Sequence, residues 1–205
     1  MKWLSEKSTH ISDKNGKIEV RRDFGAWQVI VDGCGQTTSY TRAMWNDAFR
    51  RVARFRHASN LKRILILGLG AGGQIRPLHQ HFPQCDITAV EHDPTMIGLA
   101  WELKLYEPYP FPLIIKGDAT EVLQDIPRPF DLIILDLFRG SEPSSLINDE
   151  HFIDELRNRL APQGLLAINV YTKPDYLETA KKIFPWHGLW KFKANYIGLF
   201  STLER

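Results

Sequence analysis

This sequence of 205 residues contains few cysteines and no long apolar run. Its two cysteines, Cys34 and Cys85, form no C-x-x-C pair, which excludes a disulfide framework and a cysteine-rich zinc site. The most apolar stretch, from Ile64 to Ala71, is short and interrupted by glycines, so we expect no membrane span. The first residues turn polar too soon for a signal peptide. We therefore expect a cytoplasmic protein with no metal cofactor.

Charge is distributed unevenly along the chain, although the formal net charge is only +2. Residues 1–60 contain 11 Lys and Arg against 6 Asp and Glu, whereas residues 86–155 contain 4 against 15. A concentration of carboxylates suits a cationic or hydroxyl-rich ligand and argues against contact with nucleic-acid phosphates. A solvated acidic surface would have the same composition. The positions of the individual acids must therefore decide between a ligand site and such a surface.

Two patterns predict the structure of the first 60 residues. Residues 17–32 alternate between apolar and polar and turn near Gly25, which predicts a short β-hairpin. Apolar side chains then recur at helical spacing, which predicts a helix from about Thr41 to His57. We expect residues 1–60 to form a small unit of hairpin and helix. A hairpin of this size needs further contacts for stability, which predicts docking on a second copy of the chain as a homodimer.

From Arg63 onwards, short apolar strands alternate with helical stretches. This order predicts an α/β fold over residues 61–205, with a Rossmann-like, mostly parallel twisted sheet and helices on both faces. Two further strands, joined near Asn195, are expected to close the sheet as an antiparallel pair. The parallel strands are predicted at Ile64–Leu67, Ile87–Glu91, Leu113–Ile115, Leu132–Asp136 and Leu165–Val170.

A glycine-rich segment, GLGAGG at residues 68–73, lies between the first parallel strand and a helix. Gly68, Gly70 and Gly72 allow a sharp turn and a close approach to a ligand, and the helix amino terminus favours electronegative groups. No Lys-Ser or Lys-Thr pair follows, which excludes a Walker-type phosphate loop. The segment therefore predicts a nucleotide or nucleoside site, and a tight turn without a ligand is the simpler alternative.

Acidic residues stand at the ends of three successive predicted strands. Glu91 lies 23 residues after Gly68, where a carboxylate can accept both ribose hydroxyls and would repel a 2′-phosphate. Asp118 and Asp136 follow at the next two strand ends. Because open α/β sheets bind ligands at the carboxyl ends of their strands, we expect the three acids to converge on one crevice. An unphosphorylated ribonucleoside is the predicted ligand.

The succession GLGAGG, VEHDP, GDA, DLIILD and LAPQGLLAINV resembles the Rossmann-like domains of the S-adenosylmethionine-dependent methyltransferase superfamily, and within it the spermidine synthase-like family. The resemblance covers about residues 17–203. It implies that Glu91 binds the ribose, that Asp118 meets the adenine amino group and that Asp136 faces the reacting amine. The implied cofactor-binding residues are Gln36, Gly68, Gly70, Gly72, Glu91, Asp118 and Ala119.

Two positions depart from the pattern of the polyamine synthases. Ala71 stands in the glycine segment where those enzymes carry an acid that holds the aminopropyl ammonium. Arg139 stands shortly after Asp136, where they carry a second acid for the diamine. A cation there would repel a diamine. We therefore expect Tyr40 and Arg139 on the acceptor side, and an acceptor that is an amine or an acidic or neutral small molecule.

The sequence thus predicts a transferase that moves a methyl or aminopropyl group from S-adenosylmethionine or its decarboxylated form. Asp136 is the predicted proton acceptor, because an amine is inert while it is protonated. Three alternatives stay open: a true spermidine synthase, a nucleoside-binding protein without efficient catalysis, and an NAD-dependent oxidoreductase.

Overall fold

The computed structural model describes residues 7–55, 61–126 and 129–203. The amino-terminal part is an antiparallel sheet of four strands in chain order: β1 (Lys7–Ser12), β2 (Gly16–Asp23), β3 (Ala26–Val31) and β4 (Cys34–Thr37). The predicted hairpin is present as β2 and β3, which pair from Ile18 with Val31 to Asp23 with Ala26. The outer strands β1 and β4 have too few buried side chains for an apolar alternation to reveal them.

The helix α1 (Ser39–Ala53) begins two residues before the predicted Thr41. A capping box sets its start, because Thr38 Oγ1 accepts from the backbone N–H of Thr41 and Thr41 Oγ1 accepts from that of Thr38. The predicted end at His57 lies outside the described residues. The apolar face of α1 packs in one core with strand residues of the main sheet such as Ile64.

The remaining elements form the main sheet and the helices that cover it. In chain order they are β5 (Arg63–Leu67), α2 (Ile75–His81), β6 (Asp86–Glu91), α3 (Pro94–Leu103), β7 (Leu113–Lys116), α4 (Ala119–Val122), β8 (Phe130–Leu135), β9 (Phe138–Arg139), β10 (Glu142–Pro143), α5 (Glu150–Asn158), β11 (Leu160–Tyr171), α6 (Glu178–Ile183), β12 (Trp186–Phe192) and β13 (Asn195–Ser201). Within the described ranges, no helix has the length and apolar character needed to cross a bilayer.

The main sheet has the strand order β12-β13-β11-β8-β5-β6-β7 within the described residues. Its neighbouring strands are parallel except at β13, which runs antiparallel to β11 and β12. This arrangement confirms the predicted sheet and its closing antiparallel pair, whose turn falls at residues 193–194 rather than at Asn195. The direction of the strand order reverses at β5, which lies between β6 and β8. Ligands of such sheets bind beyond the carboxyl ends of the strands at this point.

The central strands are buried on both faces, as continuous apolar runs predict. Ile64 and Ile66 of β5 pack with α1 and α2 on one face, and Leu65 and Leu67 pack with α5 and α6 on the other. Successive side chains of a strand point to opposite faces, so one strand supplies both cores. The packing confirms that helices cover both faces, and it holds the carboxyl ends of the strands in place.

Asp93 attaches the four-stranded sheet to the main sheet. Its carboxylate caps α3 by accepting from the backbone N–H of Thr95 at 2.8 Å, and it also accepts from Ser12 Oγ and Asn15 Nδ2, each at 2.6 Å. Burial raises the pKa of Asp93, but these hydrogen bonds outweigh burial and hold the pKa below its usual range. The predicted division of the chain at residue 60 stays a prediction, since residues 56–60 lie outside the described ranges.

Candidate active site

The glycine segment turns between β5 and α2 in contact with the chain that leaves β8. Gly68 has a φ of +91°, and a Cβ placed on it would lie 2.3 Å from the carbonyl oxygen of Asp136. Only glycine combines this backbone conformation with such a close approach. The contact places the glycine segment beside Asp136 at the carboxyl ends of β5 and β8.

Glu91, the last residue of β6, is buried beside the glycine segment. Its Oε2 accepts from the backbone N–H of Gly70 at 2.8 Å, and its Oε1 accepts from that of Asp93 at 3.0 Å. His92 Nδ1 lies 3.3 Å from Oε1, and its hydrogen bond with Glu91 raises the pKa of His92. The backbone N–H groups fix the carboxylate in one orientation. A carboxylate has about four acceptor sites, so it can accept ribose hydroxyls as well.

Asp118 follows β7 and caps the short helix α4. Its Oδ1 accepts from Thr120 Oγ1 at 2.7 Å and from the backbone N–H of Thr120 at 2.9 Å, and these bonds lower the pKa of Asp118. Asp118 is exposed, and it lines a cavity together with Glu91, Ala119 and Arg139 that we call the lateral cavity. An ionised carboxylate at this position can accept from an exocyclic amino group.

Asp136 follows β8 directly, and its backbone N–H donates to Leu67 O at 2.9 Å. Three side chains donate to its carboxylate: Trp45 Nε1 to Oδ2 at 3.0 Å, Gln74 Nε2 to Oδ2, and Asn169 Nδ2 to Oδ1 at 2.8 Å. Burial raises the pKa of Asp136 to about 6, although these hydrogen bonds oppose the shift. The group is ionised at neutral pH and is more basic than an ordinary aspartate, which suits a proton acceptor.

Asp136 lies where two further cavities meet. The central cavity is lined by Gly68, Leu69, Gly70 and Gly73 of the glycine segment, together with Gln74 and Glu91. The polar cavity includes Tyr40 in its lining. Asp136 and Gln36 line both cavities. Gln36 Nε2 also donates to the carbonyl oxygen of residue 140 at 2.7 Å, which joins β4 to the turn between β9 and β10. Molecules bound in the two cavities would therefore meet at the Asp136 carboxylate.

A chain of hydrogen bonds along the polar cavity ends on Asp136. Tyr40 Oη has two acceptors for its single proton, Asn195 Oδ1 at 2.6 Å and Phe192 O at 2.9 Å. Asn195 Nδ2 donates to Asn169 Oδ1 at 2.8 Å. Asn169 Nδ2 then donates to Asp136, so both amide donors point toward the carboxylate. Of the described residues that line this cavity, Asp136 is the one with a charged side chain. The cavity therefore suits a small polar molecule with a single amino group.

Gly72, Ala71 and Arg139 lie away from the polar cavity. Arg139, expected on the acceptor side, lines the lateral cavity and not the polar cavity, whereas its neighbour Phe138 lines both. Gly72, with a φ of +80°, shapes the turn into α2. Ala71 is fully buried in an apolar cluster with residues of β2 and β3. The described residues contain no group of three or more His, Cys, Asp and Glu side chains that could hold a metal ion.

Sequence reasoning missed the side chains that hold Asp136. Trp45 is predicted only as part of the apolar face of α1, and Asn195 only as a turn residue. For Gln74, the sequence offers no indication of a role beyond its position directly after the glycines. For Asn169 the sequence does offer an indication, because a polar residue inside the apolar strand LLAINV is expected to have a buried hydrogen-bond partner. Tertiary packing brings these four side chains to the carboxylate, directly or through Asn169.

Curated proteins with sequences similar to this chain include two that illustrate the extent of the match. The spermine synthase of Saccharomyces cerevisiae is 29% identical over 182 residues, which cover 77% of this chain and 58% of that protein. The polyamine aminopropyltransferase of Chromobacterium violaceum is 28% identical over 137 residues, which cover 64% of this chain and 48% of that protein. This chain thus spans about half the length of these curated relatives.

The fold is shared with solved structures. A probable spermidine synthase from Corynebacterium glutamicum has a TM-score of 0.78 at 22% identity, covering 97% of this chain and 81% of that chain. Human methyltransferase-like protein 13 in complex with SAH has a TM-score of 0.61 at 20% identity, covering 78% of this chain and 80% of that chain. At these identities the likeness concerns the fold alone, and it confirms the predicted methyltransferase-like architecture.

The family comparison covers the part of the chain that contains the crevice. The Spermine/spermidine synthase domain matches residues 46–181, which include the glycine segment, Glu91, Asp118 and Asp136. This match confirms the resemblance that the sequence motifs indicated. Because it covers more than half of the sequence, the chain belongs to the spermine/spermidine synthase domain family.

Proposed function

We propose that this chain is an alkyl transferase that uses a sulfonium of the S-adenosylmethionine type as alkyl donor and a small amine as alkyl acceptor. The observation that carries the proposal is the position of Asp136, which lines both the central and the polar cavity. Relatives named spermine synthase and polyamine aminopropyltransferase support it.

The residues of the crevice fit the nucleoside part of such an alkyl donor. Glu91 would bind the ribose hydroxyls, and Asp118 with Ala119 would bind the adenine. Glu91 and Gly68 line both the central and the lateral cavity, so one ligand can extend across the two. A buried oxygen of Gln74 has no hydrogen-bond partner, which fits a ligand that brings its own N–H donor into the central cavity.

The chain itself contributes orientation and a proton acceptor, while a bound sulfonium supplies an electrophilic carbon. Asp136 Oδ2 accepts two hydrogen bonds and Oδ1 accepts one, so Oδ1 has the open lone pair. The partner of Oδ1, Asn169, lines the polar cavity. Oδ1 would take the proton of the attacking amine, directly or through one water. A pKa of about 6 keeps this oxygen unprotonated at neutral pH.

The charges of the central cavity favour aminopropyl over methyl transfer. Its charged or titratable lining residues are Glu91, His92 and Asp136, and its described lining contains neither Lys nor Arg. A carboxylate on the tail of the alkyl donor would lie near two acids without a basic partner other than His92. Decarboxylated S-adenosylmethionine avoids this repulsion. The polar cavity, with a single carboxylate, favours an acceptor with one amino group over a diamine.

Replacement of Asp136 by Asn tests the proposal. Asp136→Asn removes the proton acceptor, and we expect at least a hundredfold loss of turnover. Binding of methylthioadenosine, measured by calorimetry, should persist. Asp131→Asn is the matched control, because Asp131 lies near the start of β8, the strand that Asp136 follows, and accepts from the backbone N–H groups of Lys62 and Arg63 there. Unchanged turnover in Asp136→Asn, or binding of NAD but of no sulfonium nucleoside, would contradict the proposal.

A further inference from the structure

Gln74 has one amide atom engaged and one buried without a partner. It lies between the glycine segment and α2, with an exposed fraction of 5%. Its Nε2 donates to Asp136 Oδ2, and its Oε1 accepts no hydrogen bond from the protein. Leaving a buried acceptor unpaired costs free energy, so such an atom calls for an explanation.

The orientation of this amide is determined by its neighbour. A flipped Gln74 would place Oε1 against the carboxylate of Asp136 and lose a charge-assisted hydrogen bond. The described chain has two other buried side-chain polar atoms without a partner, Arg159 Nε and Trp190 Nε1, and neither residue lines the three cavities. The unpaired oxygen of Gln74 is therefore a feature of the central cavity.

The surroundings of this oxygen specify the group that would pair with it. Gln74, Glu91 and Asp136 all line the central cavity, so a cationic N–H group is favoured there by charge as well as by hydrogen bonding. Ala71, at the position where polyamine synthases carry an acid for the aminopropyl ammonium, is fully buried against apolar residues and does not line the cavity.

We propose that Gln74 Oε1 accepts a hydrogen bond from the amino group on the aliphatic tail of the alkyl donor, and so takes the place of the missing acid at Ala71. Gln74 would then connect the bound tail to Asp136, because its Nε2 holds the carboxylate while its Oε1 holds the ammonium. This assignment rests on the proposed function.

Calorimetric binding, which needs no turnover, tests the assignment. Gln74→Met preserves the length of the side chain and removes both amide atoms. We expect it to weaken binding of decarboxylated S-adenosylmethionine by roughly tenfold or more, and to leave binding of methylthioadenosine, which has no tail amine, within about twofold. Gln80→Met is the matched control, because Gln80 is exposed on α2, the helix that Gln74 precedes, and both affinities should stay unchanged.

A second variant separates recognition from folding. Gln74→Glu loses the hydrogen bond to Asp136, but it retains an acceptor oxygen and adds negative charge to the cavity. It should therefore keep or strengthen binding of the decarboxylated ligand, even if Gln74→Met fails to fold. Equal losses for the two ligands in Gln74→Met, or loss of only the decarboxylated ligand in Gln74→Glu, would overturn the assignment. If the unmodified protein binds neither ligand, the proposed function fails first, which distinguishes that failure from an error about Gln74.

Discussion

A carboxylate at the position of Asp136 must satisfy two requirements that oppose each other. Burial makes it basic enough to take a proton, whereas hydrogen-bond donors must keep it ionised near neutral pH. The pKa of about 6 is the balance of these effects, with burial as the larger one. Each hydrogen-bond donor to Asp136 therefore lowers the pH at which the carboxylate becomes protonated.

Removal of the Asn169 amide should shift this pH. Asn169→Leu preserves the size of the side chain but removes a hydrogen bond that lowers the pKa of Asp136. The pKa should rise by about one to two units, since a hydrogen bond to a charged group is worth about 1.5–3 kcal/mol. The acid limb of the kcat/KM profile should move to higher pH by the same amount. Ser141→Ala, on the same cavity, should leave the limb in place, and an unshifted limb in Asn169→Leu would refute this role.

At the scale of secondary structure, the turn after β5 depends on the missing side chain of Gly68. In Gly68→Ala the new Cβ would collide with the carbonyl oxygen of Asp136 while the backbone keeps a positive φ. We expect a loss of about 3 kcal/mol in the free energy of unfolding, measured with urea. The matched control is Gly98→Ala on α3, where a Cβ meets nothing within 4 Å, and we expect it to be neutral or stabilising by up to about 1 kcal/mol. Similar midpoints of urea unfolding for Gly68→Ala and Gly98→Ala would rule out the close contact between Gly68 and Asp136.

The elements that sequence reasoning predicted are those with strong local signals. The parallel strands and the glycine turn follow from apolar runs and from the conformational needs of Gly68. The strands β1 and β4 have no such signal, since Ile11 on β1 is 76% exposed and β4 is only four residues long. The partners of Asp136 come from α1, from the start of α2 and from β11, and no local pattern determines which side chains of separate elements will meet.

At the scale of the whole molecule, Asp93 helps to hold the amino-terminal sheet on the crevice, together with the apolar cluster that β2 and β3 form with α3. Asp93→Ala removes a helix cap and two hydrogen bonds between the sheets, and we expect it to lower the free energy of unfolding by about 2–3 kcal/mol at pH 7. Because the folded pKa of Asp93 is lowered, its stabilisation is present above the ordinary value near 3.9 and is lost as pH falls through the folded pKa.

Stability curves at two pH values check this prediction. The difference between the unmodified protein and Asp93→Ala should shrink when the pH is lowered from 7 to below about 4. Asp13→Ala, an exposed acid in the same turn, should have little effect at either pH. A constant difference across this range would mean that the charge of Asp93 plays no part in joining the two sheets.

The direction of the amide hydrogen bonds from Asn195 through Asn169 to Asp136 limits how the proton can leave. Asn169 Oδ1 and Asn195 Oδ1 already accept hydrogen bonds, so neither amide has a role in carrying a proton away from Asp136. The proton therefore leaves through one of the two cavities that Asp136 lines, and under the proposed function the alkylated product occupies the polar cavity. Under the proposed function, the proton that Asp136 takes up is therefore released to the bound product or to water in these cavities, and not along the chain of amides.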